Sequence, residues 1–201
     1  MNLPNRLTVA RIIMTPLFMA AMLVEFPHHY LVALLLFVVA SLTDLLDGKI
    51  ARERGLVTNF GKFLDPLADK MLTTAAFLAF LSKGFGFGIA WVVFIVLFRE
   101  FMIASLRLVV VSSETKKVIP ANIWGKIKTV TQMAAVILGI AVMYLGETIL
   151  PIIENKIAVS DMVMTVAMIV FNIALWISTI FAVISGVIYM KDSFEFIDPS
   201  K

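Results

Sequence analysis

The amino-acid sequence predicts an all-α, polytopic integral membrane protein built as a bundle of six transmembrane helices. Of its 201 residues, 61% are hydrophobic and only 15% are charged, and the mean hydropathy is +0.99. Soluble domains average roughly 45–50% apolar and about 25% charged residues, and a soluble fold of this length does not bury so much apolar side chain. The composition therefore excludes a soluble globular domain, a disordered chain, and a collagen-like or coiled-coil protein.

Six apolar segments are long enough to cross the hydrocarbon core of a bilayer, which is about 30 Å thick and needs roughly 20 helical residues. Their approximate limits are 7–25, 31–50, 62–82, 88–111, 123–146 and 162–190. The connections are short, and no linker rich in serine or glycine interrupts the chain. We therefore predict a single membrane domain over 1–201, with a short interfacial segment at about 1–7 and a short cytoplasmic tail at 191–201.

The distribution of lysine and arginine predicts the orientation of these spans. Most basic residues fall in the N-terminus, the connections between spans 2 and 3 and between spans 4 and 5, and the tail, whereas the opposite side holds only Lys83 and Lys156. Loops rich in lysine and arginine stay in the cytoplasm, so both termini are expected there. On the other side, His28 and His29 are expected to be interfacial, and Glu147 to be a solvated loop charge.

Charge and cysteine content exclude several kinds of partner and site. The formal net charge of +3 gives no reason to expect a nucleic-acid partner. The chain has no cysteine, so disulfide bonds, thiolate metal sites and cysteine nucleophiles are excluded.

Four aspartates form two pairs beside the basic connection between the second and third spans. Asp44 and Asp47 are three residues apart, and Asp65 and Asp69 are four apart, so each pair lies on one face of its helix. Two antiparallel neighbouring helices would bring both pairs to the same membrane level. Because four carboxylates repel one another and all-oxygen sites suit magnesium, manganese or calcium, we predict a divalent-cation site there.

The segment from Asp44 to Asp69 has the form D-x2-D-G-x2-A-R-x8-G-x3-D-x3-D. This pattern resembles the signature of the CDP-alcohol phosphatidyltransferases, with all eight fixed positions filled. The resemblance implies a six-helix membrane fold, a homodimer and a polar cavity that faces the cytosol. Members of this family transfer a phosphatidyl or related group from a CDP-linked donor to an alcohol and release CMP.

The same resemblance implies roles for individual residues of this chain. It implies that Asp44, Asp47, Asp65 and Asp69 hold one or two divalent cations, for which we expect Mg²⁺ or Mn²⁺, and that Asp69 is also the catalytic general base. The expected contacts of the CDP group are the first two of these aspartates together with Asn5, Gly48, Ala51 and Arg52.

Basic residues in the fourth and fifth spans indicate a phosphorylated acceptor. Arg99 and Arg107 are eight residues apart, and Lys126 begins the fifth span; guanidinium and ammonium groups of this kind bind phosphate. Lys128 is a weaker candidate because, two residues from Lys126, it points to another side of the helix. With the first ten residues, the segment 2–132 resembles the bacterial branch of the family that joins CDP-diacylglycerol to glycerol 3-phosphate at the cytoplasmic membrane.

Two alternatives stay open. An enzyme of the same family could use phosphatidylglycerol, inositol phosphate or serine as its acceptor, although the three cations disfavour neutral alcohols. A divalent-cation transporter would also place carboxylates inside a membrane. It would, however, favour carboxylates near mid-membrane and an internal repeat, whereas these four cluster near one surface and no repeat is evident.

Overall fold

The computed structural model describes residues 2–53, 58–112, 123–152 and 157–194, and only the backbone of 45–53, 59, 62, 110–112 and 157–159. The long helices are α1 Leu3–Leu23, α2 His29–Glu53, α3 Asn59–Ser82, α4 Ile89–Ser112, α5 Ile123–Tyr144 and, in our numbering, α6 Ile157–Asp192. After Tyr144 the chain continues through a π-helical turn, Leu145–Ile149, and a last helical turn, Leu150–Ile152. The predicted all-α class and all six predicted helices are thereby confirmed.

Length and composition make four of these helical segments able to cross a membrane. They are Leu3–Leu23, Ile89–Val109, Ile123–Ile152 and Ser160–Asp192, whereas α2 contributes a shorter apolar stretch, His29–Asp44. The apolar stretch of α2 ends where the first aspartate pair begins, and the second pair lies in the first half of α3, which starts at Asn59. The chain is therefore a polytopic helical membrane protein in which two helices are charged at one end.

The first helix begins earlier than the hydropathy predicts. The side chain of Asn2 accepts a hydrogen bond from the backbone N–H of Asn5 at 3.1 Å, and Pro4 occupies the first turn. An N-terminal asparagine cap satisfies a free backbone donor, and proline in the first turn loses no helical hydrogen bond. Residues 3–7, predicted as a separate interfacial segment, are consequently the first turns of α1.

Consecutive helices run antiparallel, so the starts of α1, α3 and α5 lie with the ends of α2, α4 and α6. We call this the site end of the bundle. The closest packing joins α1 to α2 and α3, and α6 to α4 and α5. The core between them is rich in phenylalanine, and its fully buried rings include Phe18, Phe37, Phe80 and Phe171.

Gly139 of α5 permits a close contact with two phenylalanine rings of this core. A Cβ atom there would lie 2.6 Å from Phe171 Cε2 and 2.6 Å from Phe80 Cζ, and these rings already pack edge to face with centroids 5.5 Å apart. Because neither ring can move freely, we expect Gly139→Ala to lower the free energy of unfolding by about 1–3 kcal/mol.

Thermal unfolding of the purified protein in detergent measures this effect. The control is Gly125→Ala, where the new Cβ would meet only Ser185 Oγ at 3.7 Å. Because alanine favours a helix over glycine by about 1 kcal/mol, the control should keep or raise the melting temperature. Equal melting temperatures for the two variants would contradict the proposed packing of Gly139.

At the opposite end of the bundle, a buried histidine ties α2 to the π-helical turn. His29 is 2% exposed, and its Nδ1 and Nε2 atoms lie 2.9 Å from Ala21 O and 2.8 Å from Glu147 Oε1. His29 is therefore buried rather than exposed at the interface as predicted, whereas the side chain of Glu147 is 50% exposed, which agrees with the predicted solvated charge. Both ring nitrogens are satisfied by protein atoms, which explains why this histidine can be buried.

Candidate active site

Side chains of helix α1 form hydrogen bonds to one aspartate of each pair, Asp44 of α2 and Asp65 of α3. Arg11, which is 1% exposed, donates from Nη1 to Asp44 Oδ1 at 2.5 Å. Thr8 donates from its hydroxyl to Asp65 Oδ1 at 2.9 Å. Residues three apart lie on one helical face, so this face of α1 brings the end of α2 and the start of α3 together.

Asp69 lies one turn beyond Asp65 on α3 and is more enclosed than that residue. It interacts electrostatically with Asp44 and Arg11, which are bonded to each other, and with Lys128 and Glu100 of the later helices. Asp69 is therefore placed where the acidic motif meets the basic residues of the later helices.

The remaining predicted motif side chains lie outside the described residues. Asp47, Gly48, Ala51 and Arg52 all belong to the part of α2 whose backbone alone is described. Among the described side chains, no three acidic or histidine groups stand close enough together to hold a metal ion. The predicted ligand set includes Asp47, of which only the backbone is described. Cation binding by the four aspartates therefore stays a prediction.

Asn5 packs the start of α1 against the start of α3. Its side chain is buried, and Nδ2 donates to Thr58 Oγ1 at 3.0 Å. The same hydroxyl caps α3 by accepting the backbone N–H of Gly61 at 3.0 Å. A Cβ atom at Gly61 would lie 2.9 Å from Asn5 Oδ1, so this contact explains why the motif has glycine there.

Four charged side chains from three helices form a compact group, which we call the Glu100 cluster: Lys70, Arg99, Glu100 and Lys128. Glu100 Oε1 accepts from Arg99 Nη1 at 2.8 Å and from Lys128 Nζ, and Oε2 lies 3.5 Å from Lys70 Nζ. The side chains of Arg99, Glu100 and Lys128 are 12%, 13% and 10% exposed. Three cations around one carboxylate leave a formal charge of +2; Arg99 and Lys128 are largely shielded from solvent, whereas the side chain of Lys70 is 34% exposed.

Of the three predicted phosphate-binding residues, only Arg99 belongs to this cluster. Its Nη2 also donates to Ser185 Oγ of α6 at 2.7 Å. Arg107 is exposed and lies over the ring of Tyr189, 5.8 Å from its centroid. Lys126 is exposed as well, so the described structure does not bring these three cations together.

The structure instead places Lys128, the weaker sequence candidate, in the cluster. Lys128 and Gln132 are four residues apart on the buried face of α5, which continues through Ala135, Val136 and Gly139. The rotation of α5 that buries this face turns Lys126 outward. A polar residue one turn after Lys128 was the signal in the sequence that could have distinguished the two lysines.

Glu100 and Lys70 were not predicted as site residues. A glutamate within an apolar span is costly unless cations neutralise it, and that requirement was the available signal for both. With them, the site end holds an acidic region on α2 and α3 next to a basic region on α3, α4 and α5. Such an arrangement can bind a cation–diphosphate complex and, beside it, a second anion.

Comparison with known proteins identifies the family of this chain. The family model described as CDP-alcohol phosphatidyltransferase matches residues 1–187. The chain is 38% identical to the CDP-diacylglycerol–glycerol-3-phosphate 3-phosphatidyltransferase of Bacillus subtilis, covering 96% of both chains. It is 35% identical to the protein of that name from Rickettsia bellii, covering 94% of each. With that from Haemophilus influenzae the identity is 36%, covering 67% of this chain and 72% of the relative. The chain therefore belongs to the CDP-alcohol phosphatidyltransferase family.

Proposed function

We propose that this protein transfers the phosphatidyl group of CDP-diacylglycerol to sn-glycerol 3-phosphate, giving phosphatidylglycerol phosphate and CMP. The observation that carries the proposal is the Glu100 cluster, in which Lys70, Arg99 and Lys128 surround one carboxylate and in which Lys128 and Glu100 interact electrostatically with Asp69. Both substrates are anionic, and each needs its own compensating charge. The relatives from Bacillus subtilis and Rickettsia bellii, whose names state this reaction, support the choice of acceptor.

The donor side of the site consists of oxygen ligands suited to a hard cation. Asp44 already binds a cationic group, the guanidinium of Arg11, and the chemistry of the aspartates fits Mg²⁺ or Mn²⁺. We propose that these ions are held by Asp44, Asp47, Asp65 and Asp69, and that the CDP group contacts Asn5, Gly48, Ala51 and Arg52. A bound divalent cation would supply charge neutralisation for the diphosphate and for the departing CMP.

The acceptor side of the site binds a phosphate and moves one proton. Lys70, Arg99 and Lys128 would hold the acceptor's phosphate through charge-assisted hydrogen bonds. Asp69 would accept the proton of the acceptor's terminal hydroxyl. At the same time, the oxygen of that hydroxyl forms a bond to the lipid-side phosphorus of the donor. The bond from that phosphorus to the bridging oxygen breaks, and CMP leaves with this oxygen.

Arg107 and Lys126 stay in the proposal as predicted phosphate-binding residues, but the Glu100 cluster has the stronger support. Burial strengthens an electrostatic contact, because little water is present to screen it. The exposed positions of Arg107 and Lys126 give their charges no such advantage. We therefore expect the buried cations to dominate acceptor binding.

We propose that the site end faces the cytoplasm of a bacterium and that the protein lies in its cytoplasmic membrane. Most of the lysine and arginine residues of the described helices lie at this end, and loops rich in such residues are retained in the cytoplasm. The water-soluble acceptor would enter from this side. The homodimer that the resemblance implies stays a prediction.

Release of CMP from CDP-diacylglycerol tests the function directly. We expect purified protein with Mg²⁺ or Mn²⁺ to release CMP and incorporate label when labelled glycerol 3-phosphate is added. Parallel reactions contain phosphatidylglycerol, inositol phosphate or serine instead. Turnover with one of these acceptors and not with glycerol 3-phosphate would overturn the proposed acceptor. Uptake of Mn²⁺ into liposomes without CMP release would favour a transporter.

A further inference from the structure

Gln132 is a buried amide whose nitrogen has no described hydrogen-bond partner. It lies in α5, is 1% exposed, and its Nε2 atom has no hydrogen bond within the described part of the chain. Buried polar groups in folded proteins are nearly always hydrogen-bonded, because an unbonded one opposes folding. A methionine of similar size would avoid this cost, so the amide at this position points to a polar ligand.

The position of Gln132 relates that ligand to the proposed acceptor. Gln132 follows Lys128 by four residues, which places it on the same face of α5 about 6 Å further along the helix. Lys128 belongs to the Glu100 cluster and interacts with Asp69. Arg99 of the same cluster has a second buried donor, Nε, that lacks a partner among the described residues. Unused donors thus occur on two helices at or beside the cluster.

Glycerol 3-phosphate has three polar groups, and the proposed site provides binding partners for two of them. The phosphate is matched by the cations of the Glu100 cluster, and the reacting terminal hydroxyl is matched by Asp69. The middle hydroxyl has no assigned partner. A hydroxyl both donates and accepts hydrogen bonds, as does the side-chain amide of glutamine.

We propose that the amide of Gln132 binds the middle hydroxyl of the glycerol phosphate acceptor and determines specificity for it. This inference rests on the proposed function. A site built to bond a hydroxyl discriminates strongly against an analogue that lacks it, because the buried polar group is then left unpaired. The protein should therefore prefer glycerol 3-phosphate over a phosphorylated diol that lacks the middle hydroxyl.

The test compares glycerol 3-phosphate with 1,3-propanediol monophosphate, which keeps the phosphate and the terminal hydroxyl but lacks the middle one. For the unaltered protein we expect kcat/KM to be about 100-fold or more higher with glycerol 3-phosphate. Gln132→Met should lower kcat/KM for glycerol 3-phosphate by about the same factor and change that for the diol phosphate less than about threefold.

Two controls separate this role from a structural one. Gln132→Met should keep or raise the melting temperature, because the variant no longer buries an unbonded amide. Thr131→Val removes a neighbouring hydroxyl that is already bonded to Ile127 O at 2.8 Å, and it should affect both acceptors equally.

Each other outcome would overturn either the role of Gln132 or the proposed function. An equal loss with both acceptors, or no loss with either, would overturn the role of Gln132 in hydroxyl recognition. A raised KM for CDP-diacylglycerol alone would assign Gln132 to the donor instead. Equal use of both acceptors by the unaltered protein would overturn the inference and leave the transfer reaction intact. Absence of CMP release with glycerol 3-phosphate would overturn the proposed function itself.

Discussion

Asp69→Asn is expected to lower kcat by about 10³-fold, because general bases contribute roughly 10²- to 10⁴-fold to turnover. Asparagine has nearly the same size as aspartate, but its amide cannot accept the proton of the acceptor hydroxyl. The KM for glycerol 3-phosphate should change less than about tenfold, because the phosphate would still meet Lys70, Arg99 and Lys128. A large fall in kcat with a small change in acceptor KM is the signature of a group that acts in the chemical step.

The matched control is Asp192→Asn, which makes the same change of charge at an exposed position at the site end of the bundle. CMP release at saturating concentrations of both substrates measures kcat for the two variants, and thermal unfolding checks that each is folded. Removal of one charge next to Asp44 relieves repulsion, so Asp69→Asn should not melt earlier. Retention of more than a tenth of the original kcat would contradict the role of Asp69.

The helical fold could be predicted because the length of an apolar segment is fixed by the thickness of a bilayer. That criterion locates the helices but does not position their ends. The start of α1 depends on the cap formed by Asn2, and α6 begins at Ile157, before its most apolar part. At the start of α1, a hydrogen bond and a proline in the first turn, rather than hydropathy, set the limit.

The acidic motif could be predicted from local spacing, whereas its partners could not. Asp65 and Asp69 share a helical face by their four-residue separation alone. The contacts of Arg11 with Asp44 and of Thr8 with Asp65 join residues more than 30 positions apart, and they depend on how α1 packs against α2 and α3. An arginine within an apolar span needs a partner, but the sequence does not say which residue that partner is.

The positions of the basic side chains likewise could not be predicted from the sequence. Lys126 and Lys128 are equivalent by charge and differ only in the rotation of α5, which packing against α6 and α2 determines. In the packed bundle, Lys128 forms an ion pair with Glu100, and Lys126 is exposed to solvent. Sequence patterns therefore identify a basic segment of the chain, and tertiary packing determines which of its lysines contacts Glu100.

Lys128→Gln is accordingly expected to raise the KM for glycerol 3-phosphate by about 30- to 100-fold, while kcat and the donor KM change little. Hydrogen bonds to charged groups contribute roughly 1.5–3 kcal/mol, and each tenfold change corresponds to about 1.4 kcal/mol. Glu100 would keep Arg99 at 2.8 Å, so the variant does not leave a buried charge without a counter-ion. Steady-state kinetics with varied acceptor concentration measure the effect.

Lys126→Gln is the matched comparison, since it makes the same change two residues away on the same helix. Because Lys126 is exposed and water screens its charge, its loss should raise the acceptor KM by less than about fivefold. A larger effect at Lys126 than at Lys128 would mean that the phosphate does not bind at the Glu100 cluster. The cluster would then only neutralise Glu100 within the membrane, and the acceptor would bind nearer the surface, among the cations that the sequence alone favoured.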